Sequence, residues 1–305
     1  MILLGKSCLV DLIGWIVMVN KLGVILAGGK GTRLFPLTQN VNKHLLPIYN
    51  KPMIYYPISN LLMLGCNKII ILTNKSHEGS MSGIIDTLKR LQIESELKFQ
   101  GNEQGIPSAL LDAIIDEEFD EVYTILGDNI FFGNRFINDV LDRKEENVIV
   151  TKKLKDPSSF GVLLRKNSKI EVIEKPKSFL SNEVVTGFYK FSRKIVSLLK
   201  EAVPSRRGET EISDILNALF KKNEEPVGIF ELNRATLWLD AGNFENLAQS
   251  NTLVSHIIER QAQDLGCIEE IALERGYIEK ELLRIAIKHY PKNNYRDYII
   301  ELIDE

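Results

Sequence analysis

The chain is poor in cysteine. Cys8, Cys66 and Cys267 are the three in 305 residues, far apart and without a C-x-x-C pair. A sparse, odd count excludes a disulfide framework and a cysteine zinc knot, and points to a reducing compartment, the cytoplasm. The four histidines (His44, His77, His256 and His289) have no metal-ligand spacing. A basic excess is also missing. Lys and Arg number 38 against 41 Asp and Glu, a net charge of −3 without a cationic cluster. This argues against a nucleic-acid partner and leaves room for a small anionic ligand, which a few local cations can hold. Nor is there a long apolar run. The stretch Leu9–Val19 is broken by Asp11 and is too short to cross a bilayer, so no membrane partner is expected. With one lysine and no small-residue cleavage site, it does not read as a signal peptide either. Residues 1–20 are expected to be an extension ahead of the first strand, with Met18 as an alternative start. What remains, 44% hydrophobic and 26% charged, is ordinary for a globular chain with a sizeable core.

Short apolar runs alternate with helical patterns over 21–151. LGVIL (22–26), KIIIL (68–72), ELKFQ (96–100), VYTIL (122–126) and NVIVT (147–151) read as strands. Met53–Leu64, Met81–Leu91, Pro107–Glu118 and Arg135–Glu145 read as helices between them. That alternation predicts right-handed βαβ units on a mostly parallel, Rossmann-like sheet with helices on both faces, an α/β/α sandwich. Ligands of such sheets bind beyond the carboxyl ends of the strands. After Thr151 come shorter strands (FGVLLR, KIEVIEK, VVTGFYKF), a helix near 211–222 and a strand at 227–232, a smaller mixed lobe. From Asn243 the pattern is mainly helical. The expected division is a larger domain over 21–242, its first part at 21–151 and its second at 152–242, followed by a helical segment at 243–305.

The first strand runs into LAGGKGTR, three glycines and two cations. The dinucleotide pattern G-x-G-x-x-G fails, since counting from Gly29 and Gly31 its third position is Leu34. The pattern G-x-x-x-x-G-K-[ST] fails too, with Val24 and Gly31 in two required places. The physics needs neither pattern. Gly28, Gly29 and Gly31 let backbone N–H groups converge on phosphate oxygens. Arg33 adds a permanently charged fork, and Lys43, ten residues on, a point charge. The ordinary alternative is a tight turn with solvated cations; Arg33 and Lys43 weigh against it. Asp128 ends VYTILGD on the expected ligand edge, and Asp240 in LWLDAG is a second carboxylate in an apolar setting. Either alone reads equally as a turn or cap aspartate.

GVILAGGKGTRLFPLT followed by NKHLLPIYNKPMIYYPI resembles the signature of the sugar-phosphate nucleotidyltransferases. The likeness continues through LGDNIFFG (126–133), FGV (160–162), EKP (174–176), VTGFY (185–189), RGETEISD (207–214), WLDAG (238–242) and EEIALERGYI (269–278), and so covers 21 to the C-terminus. Within that family it is most similar to the longer, tetrameric glucose-1-phosphate thymidylyltransferases. The resemblance implies transfer of a thymidylyl group from dTTP to glucose 1-phosphate, for dTDP-deoxysugars such as dTDP-rhamnose. It implies Mg2+ held by Asp128 and Asp240, and catalytic roles for Arg33, Lys43 and Lys175. Arg33 is expected at the triphosphate, Lys175 at the sugar phosphate and Lys43 at the transferred phosphoryl. Leu26, Gly28, Gly29, Gly31, Thr32, Arg33, Gln100, Gly105 and Asp128 would contact the nucleotide. Gly161, Glu174, Lys175, Thr186, Gly187, Tyr189 and Arg207 would contact the sugar phosphate. The C-terminal helices would build a homotetramer and a regulatory nucleotide site.

Three departures bear on selectivity. The family's G-L-A-Q-A is GIPSA at 105–109, His44 stands where several members have glutamine, and Phe160 replaces a more usual tyrosine. The nearest alternative is a transferase using UTP or another sugar 1-phosphate. A dinucleotide oxidoreductase is disfavoured by the broken G-x-G-x-x-G. A non-catalytic nucleotide-sugar sensor is disfavoured because it has no need of both metal carboxylates.

Overall fold

The computed structural model describes residues 19–101, 105–133, 135–166, 169–222, 226–261 and 264–305. The expected N-terminal extension therefore lies outside the described residues, apart from Val19 and Asn20.

The first part carries β1 (Lys21–Leu26), the hairpin β2 (Pro47–Ile48) and β3 (Lys51–Pro52), α1 (Tyr55–Met63), β4 (Lys68–Thr73), α2 (Glu78–Arg90), β5 (Glu94–Phe99), α3 (Ile106–Ile114) and β6 (Glu121–Leu126). β7 (Asn129–Phe132), α4 (Phe136–Leu141) and β8 (Asn147–Lys153) follow. Then come β9 (Gly161–Lys166), β10 (Lys169–Glu174), β11 (Glu183–Ser192), α5 (Ile195–Lys200), α6 (Ile212–Lys222), β12 (Val227–Glu231) and β13 (Leu237–Asp240). Four helices close the chain: α7 (Phe244–Gln261), α8 (Ile268–Glu274), α9 (Lys280–Ala286) and α10 (Asn294–Asp304).

The main sheet runs β10-β9-β11-β6-β1-β4-β5, and β8 joins β11 to β12. β1 pairs in parallel with both β4 and β6, and β4 with β5, whereas β11 returns antiparallel to β6. The apolar run of β1 is two-faced for this reason. Ile25 belongs to the layer formed with α1, α2 and the C-terminal helices, while Leu22, Val24 and Leu26 belong to the layer with α3, α5 and α6. Ile69 and Ile71 of β4 follow the first face, Ile70 and Leu72 the second. A sheet buried on both sides reads as continuous apolar runs, which is how these strands read. The architecture is the expected α/β/α sandwich.

Two expected helices are shorter than their apolar spacing. α4 stops at Leu141 because DRKEEN, which follows, offers no apolar face. α3 stops at Ile114, and Phe119 turns into the core ahead of β6. Besides the small β2–β3 hairpin, a second ladder outside the main sheet is unforeseen in the sequence. β13 pairs antiparallel with β7, setting Asp240 opposite Asn129. The N–H of Ala241 then donates to the carbonyl of Asp128 at 3.0 Å. This short ladder brings together two carboxylates 112 positions apart.

Cys66 and Cys267 are buried free thiols. Among the described residues no helix is long and apolar enough to cross a membrane.

Candidate active site

Two clefts open beyond the carboxyl ends of β1, β4 and β6. The first, about 960 Å³, lies over the glycine loop and is bordered by Leu26, Gly28, Gly29, Thr32, Lys43, Gln100, Gly105 and Asp128. The second, about 880 Å³, is bordered by Gly161, Glu174, Lys175, Thr186, Gly187, Tyr189, Arg207 and Asp240. Leu126, Asp128, Gly105, Ile106 and Glu209 line both, so these residues form a common wall. The residues singled out for nucleotide and for sugar phosphate thus fall into two adjoining groups. Arg33 borders the second cleft, together with Asp128 and Asp240. Gly31 caps the one-turn helix Thr32–Leu34 in the left-handed region at φ 65°, where a side chain is strained. Gly28 lies against the tip of the Gln100 side chain, so the loop and the exit of β5 meet here.

The centre of the wall is electrostatic. Lys43 Nζ lies 2.5 Å from Asp128 Oδ2. Burial alone would push the Asp128 carboxyl up, but the Lys43 charge and the hydrogen bonds from Lys43 and Asn129 hold it well below the usual carboxylate range. Asp240 goes the other way. Burial, then the neighbouring Asp128 charge, pushes it up to about 6 against the pull of Arg33 and Lys43. A Cβ built on Gly242 would lie 2.9 Å from Asp240 Oδ1, 3.0 Å from Arg33 Nη2 and 3.5 Å from Asp128 Oδ2, so all three groups crowd one point. Among the described residues Arg33 has no ion pair, and no group of three or more His, Cys, Asp or Glu could hold a metal.

On the sugar side, Glu174 is drawn upward by burial, with Lys175 opposing and Glu211 adding to the shift. Lys175 has φ 42°, which directs the chain at the EKP turn, and its N–H donates to the Phe160 carbonyl at 3.1 Å. Arg207 pairs with Glu209 and with Glu211 at 3.4 Å each, and reaches Glu174 at 4.0 Å.

The sequence reading did not single out Asn129. Its Oδ1 accepts from Trp238 Nε1 at 2.7 Å and from the Gly187 N–H at 3.1 Å, while Nδ2 donates to Asp128 Oδ1 at 3.0 Å. One amide therefore ties β7, β11 and β13 to the central carboxylate. Its place beside Asp128 in LGDN was the available signal.

His44 supplies a pH test. Burial, then the Lys43 charge, lowers its imidazole from 6.5 to about 3. Below pH 6.5 the unfolded chain takes up a proton that the folded chain refuses, so stability falls as pH falls toward 3. At about pH 5 the loss is about 2 kcal/mol relative to neutral pH. Urea unfolding of wild type and His44→Phe at about pH 7 and pH 5 should show the phenylalanine variant lacking that loss. Equal losses in both chains would contradict a buried neutral imidazole.

Fold and wall together are those of a nucleotidyl-transferring enzyme, and the chain belongs to the nucleotidyl transferase family, which matches residues 22–256. The glucose-1-phosphate thymidylyltransferase of Neisseria meningitidis is 35% identical over 289 residues, 92% of this chain and 99% of the relative. That of Mycolicibacterium smegmatis is 32% identical over 288 residues, again 92% and 99%. A Bacillus anthracis chain assigned as a glucose-1-phosphate thymidylyltransferase, crystallised with a sucrose, superposes with a TM-score of 0.69 at 35% identity, over 77% of this chain and 95% of that one. A UDP-glucose pyrophosphorylase complexed with UDP-glucose shares the fold at a TM-score of 0.66 and 20% identity, over 80% of this chain and 100% of that one.

Proposed function

We propose that the protein transfers the thymidylyl group of dTTP to glucose 1-phosphate, giving dTDP-glucose and pyrophosphate. The observation that carries this reading is the shared wall: a glycine-loop cleft and a second cleft bordered by Glu174, Lys175 and Arg207 meet at Asp128, with Lys43, Arg33 and Asp240 around it. A phosphate oxygen of glucose 1-phosphate forms a bond to the α-phosphorus as the bond to the β-bridging oxygen breaks and pyrophosphate leaves. The nucleophile is already an anion, so no general base is needed. The difficulty is to bring two polyanions together and to stabilise charge on the transferred group. Lys43 and Arg33 lie at the wall to do so. Lys175 and Arg207 receive the sugar phosphate, Glu174 the hexose hydroxyls, and Gln100 and Leu26 the base.

Asp128 and Asp240 suit Mg2+: two oxygen-donor carboxylates close together, one of them pushed toward neutrality by burial and then by the charge of the other. A cation between them relieves that repulsion, and phosphate oxygens and water complete the set in the absence of a third protein ligand among the described residues. Bound there, the ion supplies charge neutralisation and orientation at the α-phosphate.

We also assign residues 21–151 to the nucleotide, 152–242 to the sugar phosphate and 243–305 to assembly of a homotetramer in the cytoplasm. The buried thiols of Cys66 and Cys267 fit a reducing compartment. Sedimentation as a monomer would contradict the assembly role.

The test is pyrophosphate release from dTTP, UTP and three other nucleoside triphosphates, each with several sugar 1-phosphates. The highest kcat/KM is expected for dTTP with glucose 1-phosphate. Preference for UTP would move the chain to the neighbouring activity. No release from any combination would overturn the reading.

A further inference from the structure

Lys43 sits in a single 3-10 turn, Lys43–Leu45, whose two flanking side chains are tied down more firmly than a surface turn requires. Asn42, at the N-cap, is 1% exposed. Its Nδ2 donates to the Ala27 carbonyl at 3.1 Å and to Thr73 Oγ1 at 3.2 Å, at the exits of β1 and β4. Its Oδ1 accepts from the His44 N–H at 2.9 Å and meets His44 Nδ1 at 2.7 Å. The Ala27 carbonyl fixes which end of the amide is nitrogen. Oδ1 can then only accept, so the proton of the His44 ring is on Nδ1. The far edge of the ring closes on the residue before Asp128. A Cβ built on Gly127 would lie 2.6 Å from His44 Cδ2 and 3.0 Å from Nε2. The imidazole therefore spans the gap between the β1–β4 exits on one side and the β6 exit on the other. Lys43 precedes it in the same turn and points at Asp128.

We infer that His44, held by Asn42, is a positioning residue that sets the Lys43–Asp128 geometry at the wall between the two clefts. The inference rests on the reading of Lys43 and Asp128 as transfer-site residues. The ring acts in two separable ways. Nδ1–H locks the turn to Asn42, and the ring body fills the space that Gly127 leaves, fixing the distance to β6. Glutamine reproduces neither: its amide sits at the Nε2 position. Asparagine places an N–H donor where Nδ1 is, so His44→Asn is the conservative replacement for the lock, and His44→Phe keeps the wedge without the donor.

The experiment measures kcat and both KM values for His44→Ala, His44→Asn and His44→Phe in the full chain, alongside ligand-free crystal structures of each. In His44→Ala the expected result is a kcat lower by about 100-fold with each KM within about threefold of wild type, the pattern of a displaced reacting group and not of lost binding. His44→Asn should recover kcat to within about tenfold of wild type, with Phe in between. In the alanine structure Lys43 Nζ should have left hydrogen-bond distance of Asp128. A kcat for His44→Ala within about twofold of wild type, or an unchanged Lys43–Asp128 pair in its structure, overturns the inference. If alanine does not fold, the asparagine and phenylalanine variants ask the same question separately. Should wild type release no pyrophosphate with any substrate pair, the functional reading fails, and the crystal structures still decide whether His44 positions Lys43.

Discussion

Asp128→Asn is expected to lower turnover by about four orders of magnitude while the chain stays folded. The variant keeps the shape of the side chain and removes its charge. Three consequences follow from where Asp128 sits. The Lys43 ammonium, 2.5 Å away, loses its partner at a site where both side chains are largely buried. Asp240 loses the neighbour that raises it, and the pair proposed to hold Mg2+ is reduced to one carboxylate. Asn129, which donates to Asp128 while fixing Gly187 and Trp238, has its amide facing another amide. Breaking a buried pair from one side costs about 3 kcal/mol, so a lower melting temperature should accompany the loss of turnover. Pyrophosphate release and thermal unfolding on the same preparation check both. Turnover within tenfold of wild type would remove Asp128 from the site.

Arg33→Ala is expected to reduce turnover by about 1,000-fold and, unlike the Asp128 change, to leave stability almost untouched. Arg33 is exposed and, among the described residues, without an ion pair, so the fold draws on its charge only through a pull on the nearby Asp240 carboxyl. The turn that carries it is anchored instead by Leu34, fully buried, and by the left-handed Gly31. A free guanidinium beside Asp240 and Gly242 is placed for a ligand and not for the fold. Arg33→Lys should recover only part of the loss, because an ammonium cannot make the paired contacts of a planar fork. A melting temperature that falls as far as in Asp128→Asn would show that Arg33 is structural.

Much of this was legible in the sequence because the relevant signals are local. β1, β4 and β6 are buried on both faces and so read as unbroken apolar runs. The glycines, Arg33 and Lys43 lie within one short stretch, and Asp128 ends a clear strand. What was not legible is non-local. The β7–β13 ladder consists of two four-residue strands far apart in the chain, too short for a period, yet it sets Asp240 beside Asp128. Asn129 has an ordinary turn identity until Trp238 and Gly187 arrive from other strands. The nearness of the Arg33 guanidinium to Asp240 is likewise non-local, set by how β13 returns over the loop. His44 looked like a substitution affecting selectivity. Its buried contacts with Asn42 and Gly127, which join it to the turn of the adjacent lysine, come from residues that only the fold brings together.

The central claim is that the bond made and broken is at the α-phosphorus of the triphosphate. Phosphorus NMR of wild type with Mg2+, dTTP and glucose 1-phosphate tests it most directly. The account predicts that the three dTTP resonances give way to a diphosphate ester pair, coupled between the former α-phosphorus and the sugar phosphate, together with free pyrophosphate. Appearance of dTDP with a doubly phosphorylated sugar, or of inorganic phosphate alone, would contradict it.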